Sequence, residues 1–356
     1  MAKTLMKGNE VIAEAAIRAG CRLYFGYPIT PQTEISETLA KRMPKVGGLC
    51  LQAESEIAAI NMVLGAASTG ARVLTSSSSP GLSLKSEGVS YIVGSDLPCV
   101  IVNVQRGGPG LGGIQPSQAD YFQATRAMGH GDMHLIVLAP ASVQEIGDLT
   151  QTAFELADEY RTPVMLLSDG AMGQMMEPID FEGHEPKKLP EKTWTACGTD
   201  GKRPHNIVNS LYIQPDELEN MVRDRFERYE RIAKTEVRFE DFSTEDADLV
   251  LVAYGITARI AKSAVTLCRK EGIKVGLLRP ITLWPFPKER LLALTNTAKA
   301  FLVLELSMGQ MVDDVRLAVE HRRPVSFYGR TGGMMPSVEE IVEQIRAISA
   351  KGGQLA

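Results

Sequence analysis

The sequence has few cysteines, and their spacing excludes the usual cysteine-rich sites. Only five of its 356 residues are cysteines, and no two of them form a C-x-x-C pair. Zinc and iron-sulfur sites need such closely spaced thiolates, so we expect any cluster to lie on another chain. An odd number of cysteines with mostly apolar neighbours indicates reduced thiols in the core of a cytosolic protein.

Long apolar runs and basic stripes are absent as well. No apolar run approaches the roughly 18 residues that a membrane-spanning helix needs, and the first four residues lack the apolar stretch of a signal peptide. We therefore expect a cytoplasmic protein without membrane contact. The formal net charge is -5, and lysines and arginines are spread along the chain. This distribution argues against nucleic acid as a partner.

The common catalytic motifs are missing too. The chain has no G-x-x-x-x-G-K-[ST], H-E-x-x-H or G-x-S-x-G segment, and its five histidines show no metal-ligand spacing. Gly108, Gly110 and Gly113 match the dinucleotide fingerprint G-x-G-x-x-G. Pro109 lies inside that turn, however, and the next helix is predicted only near Ser117. We therefore reject a nucleotide site there, and we predict no metal site on this chain.

What the sequence does contain is a regular alternation of strands and helices. Its length suits two domains, and an apolar content of 44% suffices for two cores. Continuous apolar runs such as "CVIVNV" and "PVMLLS" alternate with amphipathic stretches, which indicates parallel sheets covered on both faces. We predict an α/β protein with two doubly wound parallel-sheet domains, at residues 1–185 and 246–356.

The stretch between these domains, 186–245, is predicted to be a connector. Its first part is rich in proline, glycine and charge. Its second part holds a predicted amphipathic helix, whose apolar stripe must pack on a neighbouring domain or subunit. The stripe consists of Leu218, Val222, Phe226, Tyr229 and Ala233.

Ligands of parallel sheets bind beyond the carboxyl ends of the strands, so the loops that follow strands are the candidate sites. The first such loop reads "GYPITP" (26–31), and its prolines make it stiff. Pro31 is predicted to start a helix with Thr30 as its N-cap. From spacing alone, capping is a sufficient explanation of the Thr30 hydroxyl.

Three further loops carry polar groups. Glu54 and Glu56 lie in the first turn of a predicted helix, where acidic residues offset the helix dipole. The segment "TSSSSPG" (75–81) is either a solvated turn or a helix start able to hold a polar heterocycle or an anion. Arg106 follows a strand and suits a carboxylate or phosphate, unless it is an ordinary surface charge. The residues alone thus lead to a two-domain α/β protein with a polar site at its strand ends.

Several segments together resemble a known family. "GYPITPQTEI", "AESEIAAINMVLGAASTGARVLTSSSSPGLSL", "LPCVIVNVQRGGPG" and "LLSDG" are similar to the alpha subunit of 2-oxoacid:ferredoxin oxidoreductases. "DLVLVAYGITARIAKSAV", "RPITLWPFP" and "LELSMGQM" resemble that family's transketolase-C-terminal-like domain. The resemblance implies a pyrimidine-type thiamine diphosphate-binding domain at 1–185. It also implies an enzyme that oxidatively decarboxylates a 2-oxoacid to acyl-CoA and CO2 and reduces ferredoxin.

The resemblance also assigns candidate site residues. Glu56 matches the glutamate that hydrogen-bonds the aminopyrimidine ring and favours its imino tautomer, and Glu54 is the fallback. Thr30 matches the hydroxyl beside the substrate and thiazolium, and Arg106 matches the group that receives the substrate carboxylate. "TSSSSPG" stands where related enzymes often read "TSGPG", which leaves its contact open. Further expected cofactor contacts are Tyr27, Pro28, Ile29, Ser77, Ser78, Ser79 and Pro80.

One motif of the family is missing, which implies partner subunits. The diphosphate and Mg²⁺ site, G-D-G followed some 25 to 30 residues later by Asn, has no match, because the "SDG" at 168–170 and "TDG" at 199–201 lack the first glycine and the later Asn. We expect a beta subunit that holds the diphosphate and Mg²⁺, and an iron-sulfur cluster on a partner chain. A gamma subunit and a ferredoxin or ferredoxin-like subunit are further expected partners, and CoA is the expected cosubstrate.

The sequence leaves several 2-oxoacids open as the substrate. "GGIQPSQADYFQAT" (112–125) resembles the branched-chain (3-methyl-2-oxobutanoate) alpha subunits most, with 2-oxoglutarate and pyruvate as alternatives. A 2-oxoglutarate enzyme needs a second cation, for which Lys85 or Arg126 would serve. Two other functions are also considered. A non-catalytic scaffold predicts an active Glu56→Gln complex, and a nucleotide-dependent dehydrogenase predicts NAD(H) binding by the isolated chain.

Overall fold

Strands and helices alternate along residues 3–350, which are the residues that the structure, a computed structural model, describes. The strands are β1 (Thr4–Lys7), β2 (Leu23–Gly26), β3 (Leu49–Gln52), β4 (Val73–Ser77), β5 (Val100–Gln105), β6 (Ile136–Leu138), β7 (Val164–Asp169), β8 (Met176–Ile179), β9 (Phe239–Phe242), β10 (Leu249–Val252), β11 (Val275–Pro280), β12 (Thr282–Trp284), β13 (Ala300–Glu305) and β14 (Val325–Gly329). The helices are α1 (Gly8–Arg18), α2 (Thr33–Arg42), α3 (Glu56–Ser68), α4 (Ser79–Gly94), α5 (Tyr121–Thr125), α6 (Val143–Tyr160), α7 (Gly170–Gln174), α8 (Pro215–Thr235), α9 (Gly255–Lys270), α10 (Lys288–Leu294), α11 (Met311–Ala318) and α12 (Val338–Ala350).

The larger sheet has seven strands in the order β12-β6-β7-β5-β4-β2-β3. All neighbours are parallel except β12, which runs antiparallel to β6. Strands β4, β5 and β7 are buried along their whole length, because helices cover both faces of the sheet. Helices α3 and α4 pack on one face, and α1, α2 and α6 pack on the other. The predicted doubly wound parallel domain is confirmed.

The second sheet has the order β14-β13-β10-β11-β9, with only β9 antiparallel. Helices α9 and α12 pack together on one face. Helices α10 and α11 cover the other face and share a hydrophobic cluster with the first domain. This is the predicted second α/β domain. A separate two-stranded antiparallel sheet joins β1 to β8.

Two antiparallel edge strands were not predicted. Strand β12, from the second half of the chain, extends the first sheet by pairing Thr282 with Leu138 and Trp284 with Val137. Strand β9 lies within the predicted connector and pairs with β11. Both strands are short and pair with residues far away in sequence, so no local periodicity reveals them. The domain limits at 185 and 246 stay predictions.

Two predicted helix starts are wrong. Helix α2 begins at Thr33 with Gln32 in the N-cap position, not at Pro31 with Thr30 as its cap. The Thr30 carbonyl accepts a hydrogen bond from Arg106 (2.8 Å) and the Pro31 carbonyl accepts one from Asn9 (2.8 Å), so these groups are held by tertiary contacts and do not open a helix. Helix α5 begins at Tyr121 instead of near Ser117.

The segment before α5 is drawn out of helical geometry by the second domain. Gln118 is buried and donates to the Tyr254 carbonyl at 2.9 Å. Its side-chain oxygen accepts from the Thr257 hydroxyl at 2.7 Å and from the Leu306 amide at 3.0 Å. Three interdomain hydrogen bonds thus converge on one side chain. No helix directly follows the glycine-rich segment 107–113, whereas the dinucleotide fingerprint opens directly into a helix.

The predicted stripe of α8 is only partly buried. Of the predicted stripe only Tyr229 is buried, in the core of the first domain and together with Ile232, which was not predicted. Val222 is half-buried and Ala233 is exposed. Leu218 and Phe226 are exposed. Between residues 3 and 350, none of the helices is both long and apolar enough to cross a membrane.

Candidate active site

The predicted site residues lie at one edge of the first sheet. Strands β3, β2, β4 and β5 are consecutive in the sheet and parallel, so the loops that follow them emerge at the same edge. These loops carry the segment 27–32, Glu56, the serines after Thr75, and Arg106. The structure therefore brings together the polar groups that the sequence places after separate strands.

Glu56 is the first residue of α3, behind the N-cap Ser55, whose hydroxyl accepts from the Ala58 amide at 3.2 Å. Its side chain is only 6% exposed, and among residues 3–350 no group donates a hydrogen bond to its carboxylate. Glu54, the fallback, is exposed. Burying a carboxylate without hydrogen bonds is costly, which is typical of a group that meets a ligand. Burial therefore distinguishes Glu56 from Glu54, whereas their spacing in the sequence does not.

A glycine makes room for this carboxylate. A Cβ added to Gly81, in the first turn of α4, would lie 2.0 Å from Ser77 Oγ and 2.7 Å from Glu56 Oε1. Both contacts are far shorter than real Cβ contacts, so only glycine fits here without a shift. The Glu56 carboxylate thus packs against the backbone of α4 at Gly81, where there is no side chain.

The serine segment is not a solvated turn. Ser76, Ser77 and Ser78 are fully buried, and Ser79 nearly so. Ser76 is satisfied by Tyr24 (2.8 Å) and Gln32 (2.6 Å). The hydroxyls of Ser77 and Ser78, in contrast, have no hydrogen-bond partner in the described part of the chain. Buried hydroxyls normally have partners, so these two suit a polar ligand at the start of α4.

Arg106 connects the serine segment (76–79) to the loop 26–31, which contains Thr30. Its guanidinium is held by the Thr30 carbonyl (2.8 Å), the Thr30 hydroxyl (3.4 Å) and the Leu111 carbonyl (3.1 Å). The side chain is 8% exposed, and its Nε has no partner within residues 3–350. A guanidinium has five N-H donors, so donors remain for a carboxylate. Thr30, Tyr27 and Pro28 are exposed, and Ile29 is half-buried, at the rim of the site.

Sequence reasoning missed the polar groups behind the serines. Asp120 accepts from the Ser79 hydroxyl at 2.6 Å and from Asn103 Nδ2 at 3.0 Å. Burial raises the pKa of Asp120, although these two hydrogen bonds oppose the shift. Asn103 is the one polar residue inside the apolar strand "CVIVNV", and this irregularity is the signal that was available.

The second cations predicted for a dicarboxylate substrate are both engaged elsewhere. Lys85 is fully buried and donates to Thr75 Oγ1 (2.6 Å) and the Ser76 carbonyl (3.1 Å). Arg126 forms an ion pair with Asp314 of the second domain at 2.5 Å. Both side chains thus have protein partners, and their role toward a dicarboxylate substrate stays a prediction.

Next to Thr30 opens a cleft of about 420 Å³. Part of its wall is apolar and includes Pro31, Ile114 and Met335. Glu34 lines another part, where Asn9 (2.9 Å) and Gln174 (2.8 Å) donate to its carboxylate. Burial opposes these hydrogen bonds, but together they lower the pKa of Glu34. Lys7 also forms an ion pair with Glu34 at 3.1 Å, so the cleft combines apolar surface with a carboxylate whose charge is paired.

Among the described residues, His, Cys, Asp and Glu side chains form no metal-binding cluster. Across 3–350, no group of three or more His, Cys, Asp or Glu side chains is arranged to hold one. Asp169 of the "SDG" segment caps α7 by accepting from the amides of Ala171 (2.9 Å) and Met172 (3.0 Å). Burial raises its pKa to about 6. Its local role is structural.

Comparison with known families gives two matches that together cover most of the chain. Residues 14–241 match the family described as pyruvate flavodoxin/ferredoxin oxidoreductase, thiamine diphosphate-binding. Residues 247–341 match pyruvate:ferredoxin oxidoreductase core domain II.

Individual proteins show the same similarity. The chain is 49% identical to ketoisovalerate oxidoreductase subunit VorB of Methanothermobacter marburgensis, over 99% of both chains. It is 36% identical to 2-oxoglutarate synthase subunit KorA of Methanothermobacter thermautotrophicus, over 96% of this chain and 97% of that one. A solved structure of 2-oxoglutarate:ferredoxin oxidoreductase from Magnetococcus marinus, with 2-oxoglutarate, coenzyme A and succinyl-CoA bound, is 29% identical with a TM-score of 0.85. That match covers 99% of this chain and 66% of the other.

Proposed function

Because this chain belongs to the pyruvate flavodoxin/ferredoxin oxidoreductase family, we propose that it forms the aminopyrimidine side of a thiamine diphosphate site in which Glu56 meets the ring nitrogen. The chain is a subunit of a 2-oxoacid:ferredoxin oxidoreductase, and the predicted family is confirmed. The observation that carries the proposed site is Glu56, a residue only 6% exposed whose carboxylate accepts no hydrogen bond within residues 3–350 and lies beside Gly81.

The residues around Glu56 fit an aminopyrimidine ring. When bound, thiamine diphosphate supplies the nucleophilic carbon and the electron sink for decarboxylation. Glu56 holds a proton at the ring nitrogen, and the unpaired hydroxyls of Ser77 and Ser78 are donors and acceptors for the ring's polar edge. Pro80 and Ser79 fix the start of α4. Tyr27, Pro28 and Ile29 form the rim through which the cofactor enters.

Thr30 and Arg106 are proposed to bind the substrate. Arg106 Nη1 lies 3.4 Å from the Thr30 hydroxyl, so a carboxylate on the guanidinium places the neighbouring carbonyl close to Thr30. The guanidinium orients the oxoacid and the hydroxyl contacts its carbonyl oxygen. Both roles are positional and electrostatic.

Partner subunits are proposed to complete the site. Helices α3 and α4, which begin at the proposed site, expose large apolar side chains. Ile57 of α3 is 53% exposed and Leu84 of α4 is 50% exposed. Leu49 and Leu51, on the edge strand β3, are exposed as well. Such a patch suits a protein interface. We propose a beta subunit here that holds the diphosphate, Mg²⁺ and an iron-sulfur cluster, while gamma and ferredoxin-like subunits complete the complex. CoA is the proposed acyl acceptor.

The proposed substrate is 3-methyl-2-oxobutanoate, with 2-oxoglutarate second. The relative with 49% identity carries the ketoisovalerate name, whereas the 2-oxoglutarate relative is 36% identical. The cleft beside Thr30 agrees with this order, because its apolar wall suits a branched alkyl group.

The test is the activity of a complex purified through a tag on this chain. Viologen reduction is measured with thiamine diphosphate, CoA and a panel of 2-oxoacids, for wild type, Glu56→Gln and the exposed control Glu54→Gln. We expect activity with 3-methyl-2-oxobutanoate that falls at least about 100-fold in Glu56→Gln and stays within about twofold in Glu54→Gln. The separately purified chain should be inactive.

Two other results decide between the remaining functions. Preference for 2-oxoglutarate would keep the site and change the substrate. A partner that copurifies without any oxoacid activity, or an active Glu56→Gln complex, would favour the scaffold function and remove the catalytic assignments.

A further inference from the structure

Lys85 is a buried charge that the proposed reaction does not use. It lies on α4 and is fully buried. Its ammonium donates to Thr75 Oγ1 at 2.6 Å and to the Ser76 carbonyl at 3.1 Å, so both contacts are neutral groups on β4. An ammonium inside a core is costly unless an anion lies nearby. The position of that anion therefore indicates what the lysine does.

The carboxylate whose charge acts on Lys85 is that of Glu56, which favours the charged form of the lysine. Helical side chains lean toward the N-terminus of their helix, and the ammonium of Lys85 accordingly binds the Ser76 carbonyl, one residue before Ser77. Glu56 Oε1 and Ser77 Oγ both lie against Gly81. Cys99, before β5, is the other titratable group that faces Lys85, and burial raises its pKa to about 12. Its thiol is neutral, which leaves the α3 carboxylate as the counter-charge.

We propose that Lys85 is a positioning residue for Glu56: its ammonium, fixed on Thr75 and the Ser76 carbonyl, holds the Glu56 carboxylate toward the aminopyrimidine position. No hydrogen bond joins the two residues within the described chain. The attraction is electrostatic and leaves both carboxylate oxygens free for a ring nitrogen. This inference rests on the proposed function and gives Lys85 a role that the resemblance does not assign.

The attraction depends on the protonation of Lys85. Burial lowers the pKa of Lys85 to about 7, although Glu56 opposes the shift. Below this value the lysine carries its charge, and above it the charge is lost. We therefore expect the hold on Glu56 to weaken as the pH rises through about 7.

The test is a double-mutant cycle on cofactor affinity in the assembled complex. The dissociation constant of thiamine diphosphate is measured by calorimetry at pH 6 for wild type, Lys85→Met, Glu56→Gln and the double variant. We expect Lys85→Met to weaken binding about tenfold when Glu56 is present and less than about twofold in the Glu56→Gln background. An equal loss in both backgrounds would mean that Lys85 acts only through packing, and would overturn the proposal.

A second series uses the charge and the pH. Lys85→Arg should bind the cofactor within about threefold of wild type at pH 6, whereas the neutral Lys85→Gln should resemble Lys85→Met. Wild-type affinity should fall between pH 6 and pH 8.5, and in Lys85→Gln this step should be missing. The same step in Lys85→Gln as in wild type contradicts the proposal. Lys85→Gln also replaces Lys85→Met if the latter does not assemble.

The outcomes separate this inference from the proposed function. A wild-type complex that binds no thiamine diphosphate overturns both. A complex that binds it, and loses affinity in Glu56→Gln but shows no coupling to position 85, keeps the proposed function and removes only the role of Lys85.

Discussion

Glu54 and Glu56 illustrate what sequence and structure each contribute at the scale of single residues. Both stand near the start of one predicted helix, and dipole arguments apply equally to both. The resemblance to a family selects Glu56, and the structure adds the physical reason, because Glu56 is buried and Glu54 is exposed. Lys85 shows the opposite case. A substrate with two carboxylates suggested it as a second cation, and only the packing of α4 reveals that its side chain is fully buried.

The lowered pKa of Lys85 has a consequence for stability. The folded chain holds this proton with a pKa of about 7 and the unfolded chain with the ordinary value of 10.5. Between these values the unfolded state binds more protons, so this group's contribution to stability is lost as the pH falls through about 7 and is fully present above 10.5. We expect the unfolding free energy of the chain, relative to Lys85→Met, to rise by about 1.4 kcal/mol for each pH unit between pH 7 and 10.

Urea unfolding at pH 7, 8 and 9 measures this difference. Comparison with the variant removes the titration of the other groups that both chains share. Parallel stability curves for wild type and Lys85→Met would contradict a buried ammonium at this position.

At the scale of elements, the start of α4 is the feature that the sequence pattern describes least well. Serine clusters favour solvated turns, yet this one is buried because β4 runs on through Ser77 into the sheet core and α4 begins at Ser79. The polar segment is stabilised by tertiary partners, namely Tyr24, Gln32 and Asp120. Long periodic elements such as α6 and β5 were predictable, because their own apolar pattern specifies them.

Gly81→Ala tests the close approach of α4 to Glu56. The added methyl group meets Ser77 and Glu56, so we expect the unfolding free energy of the chain to fall by about 1 to 3 kcal/mol. The activity of the complex should fall with it, because Glu56 must move. The matched control is Gly65→Ala in α3, where a Cβ has no heavy atom within 4 Å. That control should stabilise the chain by about 0.5 to 1 kcal/mol.

Chemical unfolding and dye reduction measure both variants. A Gly81→Ala chain as stable as its control would show that α4 and Glu56 do not pack as described.

At the scale of the whole molecule, polar contacts join the two domains. Gln118 connects the loop before α5 to Tyr254, Thr257 and Leu306. Arg279, on β11, donates two hydrogen bonds to Glu145 of α6, at 2.8 and 2.7 Å. These contacts join residues more than one hundred positions apart, so spacing along the chain gives no sign of them. The number and type of domains were predictable from the sequence, whereas the hydrogen bonds that hold the two domains together were not.

Gln118→Ala should weaken this junction. The substitution removes the hydrogen-bond acceptor of the buried Leu306 amide and Thr257 hydroxyl, and we expect a loss of about 3 kcal/mol in the unfolding free energy. Gln123→Ala is the control in the same segment, because its side chain donates only to Ser83. Its loss should stay below about 1 kcal/mol. Equal losses in denaturant titrations of the two variants would argue against a special role of Gln118.

The antiparallel pairing of β12 with β6 matters during synthesis. A ribosome that has released the first 185 residues has delivered six of the seven strands of the larger sheet, and the seventh follows only with Thr282–Trp284. Until then, Ile136–Leu138 presents unpaired backbone groups at an open edge, where other nascent chains can attach. A truncated protein that ends at the apparent domain boundary would lack β12, so the edge of β6 would stay unpaired permanently. The first domain is therefore recognisable as a structural domain, but its sheet is complete only when the second half of the chain is present.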